Sequence, residues 1–175
     1  MKAMAPTNTP LDLSIQYACD PSDPDPKQWP IKQWIQTTLA GARNDAQCPT
    51  CPFPATAELT VRIVDQAEGQ ALNQHYRHKE NATNVLTFAY EASPNGRLHA
   101  DIVLCLPVVV AEAQDQRKAL PHHAAHLVIH GVLHALGYDH NHADEAHQME
   151  LLEIELLRKL DIGNPYHLNA ATDKP

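Results

Sequence analysis

The chain has 175 residues, 43% of them hydrophobic and 19% charged, and a formal net charge of −8 with its 12 histidines neutral. This length allows one domain with its own core, the composition is that of a globular protein, and the acidity argues against a protein that coats duplex DNA through a broad basic surface. No apolar run approaches the ~18 residues a membrane span requires. Met1–Pro10 lacks the basic-then-apolar pattern of an export signal, so a cytoplasmic protein without a membrane partner is expected.

Leu11, Leu13, Ile15 and Tyr17 alternate with Asp12, Ser14 and Gln16, the period of a half-buried strand. Pro21 to Pro26 reads as an acidic, proline-rich turn. Trp29, Ile31, Trp34, Ile35 and Leu39 recur at helical spacing and predict an amphipathic helix from Pro26 or Lys27 to about Arg43, with Gly41 as its stop. Asn44 to Ala57 is a loop, Leu59, Val61 and Ile63 mark a second strand, and Asp65 can cap a helix through Ala71, Leu72 and Tyr76. Asn84–Phe88 is a short strand, Ser93-Pro-Asn-Gly96 a turn, and Ala100–Leu106 an apolar run that fits a buried strand. Helices are expected over Val108–Leu120, from Pro121 to about Leu136, and from Asp144-Glu145 to Arg158-Lys159, the last with its charges ordered as the helix dipole favours. The fold class is therefore α+β, a small mixed sheet packed with helices in a single domain. Its core spans 11–164, with 1–10 and 165–175 expected to fray. Strand order is not written in this pattern.

Cys19, Cys48, Cys51 and Cys105 are read as reduced thiols. Cys48-Pro-Thr-Cys51 has metal or redox spacing, but no second pair follows, and a lone CxxC in a proline-rich loop is a weak signal.

The chemistry concentrates in His126-Leu-Val-Ile-His130-Gly-Val-Leu-His134-Ala-Leu-Gly137-Tyr-Asp-His140. His130 and His134, four apart, lie one above the other on a helix. Gly137 can take the left-handed conformation that ends it, and the chain can then return His140 as a third nitrogen. Three imidazoles without thiolate suit one zinc ion per chain, and would also accept nickel, copper or iron. Three protein ligands leave a position open, as catalytic sites do. His126, one turn earlier, is placed to orient a ligand or touch substrate. His122, His123, His142 and His147 read as exposed residues at helix ends. The spacing is also that of metzincin proteases, which carry a glutamate after the first histidine; here that position is Gly131.

The same stretch is similar to the H-G-x-L-H-L-x-G-Y-D-H signature of the YbeY endoribonuclease family, with Ala135 in place of leucine. Leu72-Asn-Gln-His-Tyr76-Arg77, Thr83-Asn-Val-Leu-Thr-Phe88 and Asp101-Ile-Val resemble further segments of that family, as do Asp144-Glu145-Ala, Met149 and Glu150. The likeness spans about Leu59 to Leu160. It implies a metal-dependent endoribonuclease specific for single strands, acting in the cytoplasm on ribosomal RNA (the 3′ end of the small-subunit RNA) and in ribosome quality control. The partners implied are single-stranded RNA and the small ribosomal subunit. It also implies that the arginine matching Arg77 matters for activity beside His130 and His134; an arginine fork can hold a phosphate and offset charge in the transition state. Attack by the ribose 2′-hydroxyl and attack by metal-activated water are both compatible with these residues. A metalloprotease-like hydrolase and a non-catalytic ribosome-assembly factor are the alternatives.

Overall fold

Side chains alternating in and out along the first strand set the layering of the whole molecule. The computed structural model describes residues 8–20, 25–91 and 96–167. Four strands, β1 (Leu11–Ala18), β2 (Thr56–Val64), β3 (Val85–Ala89) and β4 (Arg97–Cys105), form one sheet in the order β1-β2-β4-β3. β1, β2 and β4 run parallel, and β3 closes the edge antiparallel to β4. With helices α1 (Ile31–Asn44), α2 (Gln66–Arg77), α3 (Leu106–Asp115), α4 (Leu120–Ala135) and α5 (Ala143–Lys159), this is the expected α+β architecture.

The register Leu13↔Leu59↔Ala100 aligns the inward positions of three strands. Leu59, Val61, Ile63, Ala100, Ile102 and Leu104 therefore share one face, packed against Ile35 and Leu39 of α1, Ile129 and Leu133 of α4, and Leu156 of α5. The opposite face carries a smaller cluster, Val64, Leu86, Val103 and Cys105, covered by Leu72 of α2. Asp65 caps α2 as expected, its carboxylate accepting from the Glu68 amide at 2.8 Å. Among the described residues no helix is long and apolar enough to cross a membrane.

Three expectations are corrected. The helix expected from Pro26 or Lys27 begins at Ile31: Pro26–Gln28 form a separate 3-10 turn, and Trp29 is extended (φ −72°, ψ 132°) because the ring of Pro30 excludes the helical conformation from the residue before it. Gly41 does not stop α1 but lies inside it, where a Cβ would come within 2.3 Å of the Leu156 side chain; the missing side chain lets α1 and α5 approach. The helix expected over Val108–Leu120 starts at Leu106 and ends at Asp115. Arg117 takes a left-handed φ of 54°, and the Arg117 and Lys118 amides bond back to Gln114 and Ala113, a closure in which glycine is usual.

In the segment after α5 the Lys118 ammonium donates to the Pro165 carbonyl at 2.7 Å and the Tyr166 hydroxyl reaches His126 of α4 and Glu153 of α5, while His167 is exposed. Residues 1–7 and 168–175 of the ends expected to fray lie outside the described residues. Residues 21–24 of the proline-rich turn and 92–95, with Ser93–Asn95 of the expected later turn, lie outside the described residues; Gly96 has the positive φ (68°) that turn requires.

Replacing Gly41 with valine drives a side chain into the fully buried Leu156 of α5. Gly41→Val should destabilise the protein by about 1–3 kcal/mol, read as a lower urea midpoint at unchanged m-value.

Candidate metal centre

α4 is an almost wholly buried helix whose polar residues on one side are histidines. Leu127, Val128, Ile129, Val132 and Leu133 fix it in the core, so His126, His130 and His134 emerge on successive turns. Gly131 faces the sheet: a Cβ there would lie 3.0 Å from Ile102 Cγ2 and 3.1 Å from Thr87 Oγ1. The Thr87 hydroxyl instead donates to the Gly131 carbonyl at 3.3 Å, locking α4 onto the edge strand.

The helix ends in a closure in which Gly137 takes φ +93°, its amide bonding the His134 carbonyl and the Tyr138 amide bonding the Leu133 carbonyl at 3.1 Å. The loop carrying Cys48 and Cys51 braces this turn. Thr50 donates to the Leu136 carbonyl at 2.6 Å, Tyr138 donates to Asp45 at 2.5 Å, and Pro49 stands against Gly137. All four cysteines are free thiols, and the CxxC loop has a structural task, holding the segment that returns His140.

His130, His134 and His140 converge so that one nitrogen of each lies within 4.8 Å of the other two. The Nε2 atoms of His130 and His134 are 3.0 Å apart, close to the roughly 3.3 Å separation of two imidazole nitrogens bound tetrahedrally to one zinc. Burial, then the charges of His130 and His140, push His134 down to about 4, so its ring is neutral and ready to ligate at neutral pH. The donor set fits a transition-metal ion of the zinc type.

Glu153 of α5, absent from the sequence reading, organises this cluster. Its carboxylate is 1% exposed and accepts from His130 Nδ1 at 2.6 Å, from His126 Nε2 at 2.9 Å and from the Tyr166 hydroxyl. Burial alone would raise its pKa, but the hydrogen bonds from His126 and His130 outweigh that and hold it at about 2. A proton on His130 Nδ1 leaves the Nε2 lone pair facing the cluster, the arrangement that fixes tautomer and ring orientation in metal sites. The signal was present: Met149, Glu153, Leu156 and Leu157 form the inward stripe of α5, and a carboxylate in such a stripe needs a partner.

The remaining expected residues divide. His126 joins the cluster through Glu153. His122, His142 and His147 are exposed as expected, but His123 is buried and bonded to Glu112 Oε2 at 2.8 Å, because its turn of α4 faces α3. Arg77 is exposed at the end of α2. Its neighbour Tyr76 packs on Phe88, ring centroids 4.8 Å apart, whereas Thr87 faces α4. Arg77 thus stands on the other side of the edge strand from the histidines and makes no contact with them.

A mixed sheet carrying an H-x-x-x-H helix and a third histidine returned by a glycine turn defines a candidate single-ion metalloprotein. The family model described as Endoribonuclease YbeY matches residues 20–161. Endoribonuclease YbeY of Bordetella pertussis is 48% identical over 158 residues, covering 90% of this chain and 97% of that protein. The Burkholderia cenocepacia enzyme is 48% identical over 161 residues, covering 89% and 86%. The chain belongs to the YbeY family. The solution structure of a Thermotoga maritima protein, 20% identical, superposes with a TM-score of 0.51 over 93% of this chain and 99% of that one, a likeness of fold.

Glu153→Gln keeps the shape of the carboxylate but not its charge. Zinc affinity should fall about 10–100-fold, measured by competition with a chromophoric chelator. The depressed Glu153 pKa also contributes stability that is full above its ordinary value of 4.5 and is lost as pH falls towards about 2. Wild type should therefore lose stability over that interval, and Glu153→Gln should show a flatter acid limb.

Proposed function

We propose that this protein is a metal-dependent endoribonuclease that cuts single-stranded RNA, acting in the cytoplasm on ribosomal RNA of the small subunit. The observation that carries the reading is the convergence of His130, His134 and His140 in a chain whose relatives bear the name endoribonuclease. His130 and His134 are rigid, on a buried helix; His140 is exposed, at the mouth of the site. A bound zinc-type ion would supply Lewis acidity towards a phosphoryl oxygen. Glu153 holds His130 in the ligating tautomer, and His126 lies beside the cluster within reach of an incoming strand. Arg77 is the proposed phosphate contact: a strand crossing the edge of β3 meets its exposed guanidinium and then the histidines. This reading takes as nucleophile the ribose 2′-hydroxyl, which RNA carries beside each phosphate and DNA lacks; Glu153, engaged by three donors, orients the histidines.

The protease alternative is weakened by Gly131. A metzincin needs a glutamate there to take a proton from water, and in this fold that position points into Ile102 and Thr87.

Zinc-reconstituted protein should hold about one metal ion per chain, and His134→Ala should abolish it, measured by atomic absorption after dialysis. Loaded protein should cut single-stranded RNA in a chelator-sensitive way, act weakly on duplex RNA, whose A-form geometry holds the 2′-hydroxyl out of line, and leave DNA and casein intact. Arg77→Glu should lower RNA cleavage by roughly two orders of magnitude or more with metal content unchanged. DNA cut as fast as RNA would exclude the 2′-hydroxyl route, casein digestion would favour the protease, and loaded protein inert on all substrates would favour an assembly factor.

A further inference from the structure

Beyond the metal cluster, α4 carries a second concentration of histidines towards its N-terminus, and it lines a cavity of about 210 Å³. Arg117, Lys118, His122, His123 and His126 surround it, with Asn164 across from them, and among the described residues no carboxylate lines it. In a chain with 21 acidic and 13 basic residues, a pocket holding an arginine, a lysine and several histidines but no acid is a local reversal of the protein's charge. A cleft of about 360 Å³ shares Lys118, His123 and His126 with this cavity and extends to His130, with Glu112, bonded to His123, on its wall, so the two form a trough ending at the metal cluster.

Two polar atoms in the trough are unsatisfied. His123 is 4% exposed, and both His123 Nδ1 and His126 Nδ1 are buried without a partner. Each ring faces a carboxylate through Nε2, His123 to Glu112 and His126 to Glu153. A carboxylate accepts only, so Nε2 carries the proton, and in a neutral ring Nδ1 is then a lone pair awaiting a donor. Burial lowers the His123 pKa, consistent with a neutral ring. An unmet buried acceptor is costly, and both rings belong to residues that line a cavity together with Arg117 and Lys118.

We propose that this trough is a ribonucleotide subsite: Arg117 and Lys118 take the phosphate of a nucleotide next to the scissile linkage, and the rings of His123 and His126, whose buried Nδ1 atoms have no partner within the protein, flank its ribose or base. One ribonucleotide carries both complements, a phosphate anion and hydrogen-bond donors. From His123 to His130 is seven residues of helix, roughly 10 Å, the reach of a neighbouring nucleotide. This rests on the nuclease reading above and adds where the flanking strand is held. It also separates the two anion contacts: Arg77 serves the strand on the β3 side, Arg117 and Lys118 on the α4 side.

The test uses metal-loaded full-length protein and a fluorescently labelled single-stranded oligoribonucleotide with uncleavable methylene-phosphonate linkages. Wild type should bind, and the double variant Arg117→Gln, Lys118→Gln should bind about tenfold more weakly, with the slope of log Kd against log salt reduced by about 1.4, two contacts at about 0.7 each. Nitrogen-15 spectra of the unsubstituted protein provide a readout independent of any variant's folding: the oligoribonucleotide should shift His123 Nδ1 and leave exposed His142 and His147 unmoved. If wild type does not bind the oligoribonucleotide, the nuclease reading falls and the subsite with it. If wild type binds but the double variant binds equally and His123 does not move, the subsite alone falls. If inorganic phosphate shifts His123 and the oligoribonucleotide does not, the pocket takes a free anion and the proposal is overturned.

Discussion

One buried carboxylate holds the working parts of this molecule in register. Glu153 projects from α5 into the interior, where an unpaired charge is costly, and its three donors come from two turns of α4 and from the segment after α5. The ionised state survives burial only because those donors converge. The dependence runs both ways: Glu153 fixes the tautomer and orientation of His130, and His130 and His126 make Glu153 tolerable in the core. Removing either side leaves the other buried and unpaired, so the metal cluster and the α4–α5 packing stand or fall together. On its other side α5 meets α1 closely at Gly41, where Leu156 takes the space a side chain would fill.

The strands were legible in the sequence by two local signals. Odd-numbered residues of β1 and β2 and even-numbered residues of β4 share the core face; alternation marks β1 and β2, whereas β4 reads as an apolar run because its second face is also covered. The helical ligand pair and the glycine turn were legible for the same reason, being local in sequence. What could not be read is what depends on distant partners. The order β1-β2-β4-β3 is set by which strands α2 and β3 connect across the sheet. Gly41 has the look of a stop signal, and only the position of Leu156 shows that it makes room for a neighbour. His123 is buried because of Glu112, eleven residues away on another helix. The brace of Thr50 and Asp45 on the Gly137 turn spans some ninety residues, and nothing in a lone CxxC announces it. Proline was the exception, a local cue given too little weight: Pro30 marks the true start of α1 by sterics alone.

An acidic chain is an awkward candidate for a nucleic-acid enzyme, since phosphate contacts dominate such affinity. The arrangement of charge resolves this. Acidic side chains near the working face are paired: Glu153 with the histidines, Glu112 with Asn84 and His123, Glu68 with Arg62. Pairing leaves the exposed Arg117 and Lys118, which is bonded to the Pro165 carbonyl and not to a carboxylate, as the cations of the trough. Net charge therefore misleads about this site, because a single strand senses charge within a Debye length of about 10 Å and not the sum over the surface.

The edge strand then becomes the feature that relates the two sides of the site. Thr87 and Phe88 point to opposite faces of β3, one bonded to α4 through Gly131 and the other packed on Tyr76 beside Arg77. An edge strand is the one place where a ligand can touch both faces of a sheet without crossing its core. A duplex is too broad and stiff to follow such a turn, whereas a single strand bends residue by residue. Selectivity for single-stranded RNA would then arise from the path as much as from the reacting group. On the proposed path the α4 trough would hold one flank, the histidine cluster would meet the phosphodiester, and the chain would pass over β3 to reach Arg77. A change that blunts the edge, such as a bulky side chain at Thr87, would pull the two flanks out of common reach while leaving every metal-ligating histidine in place.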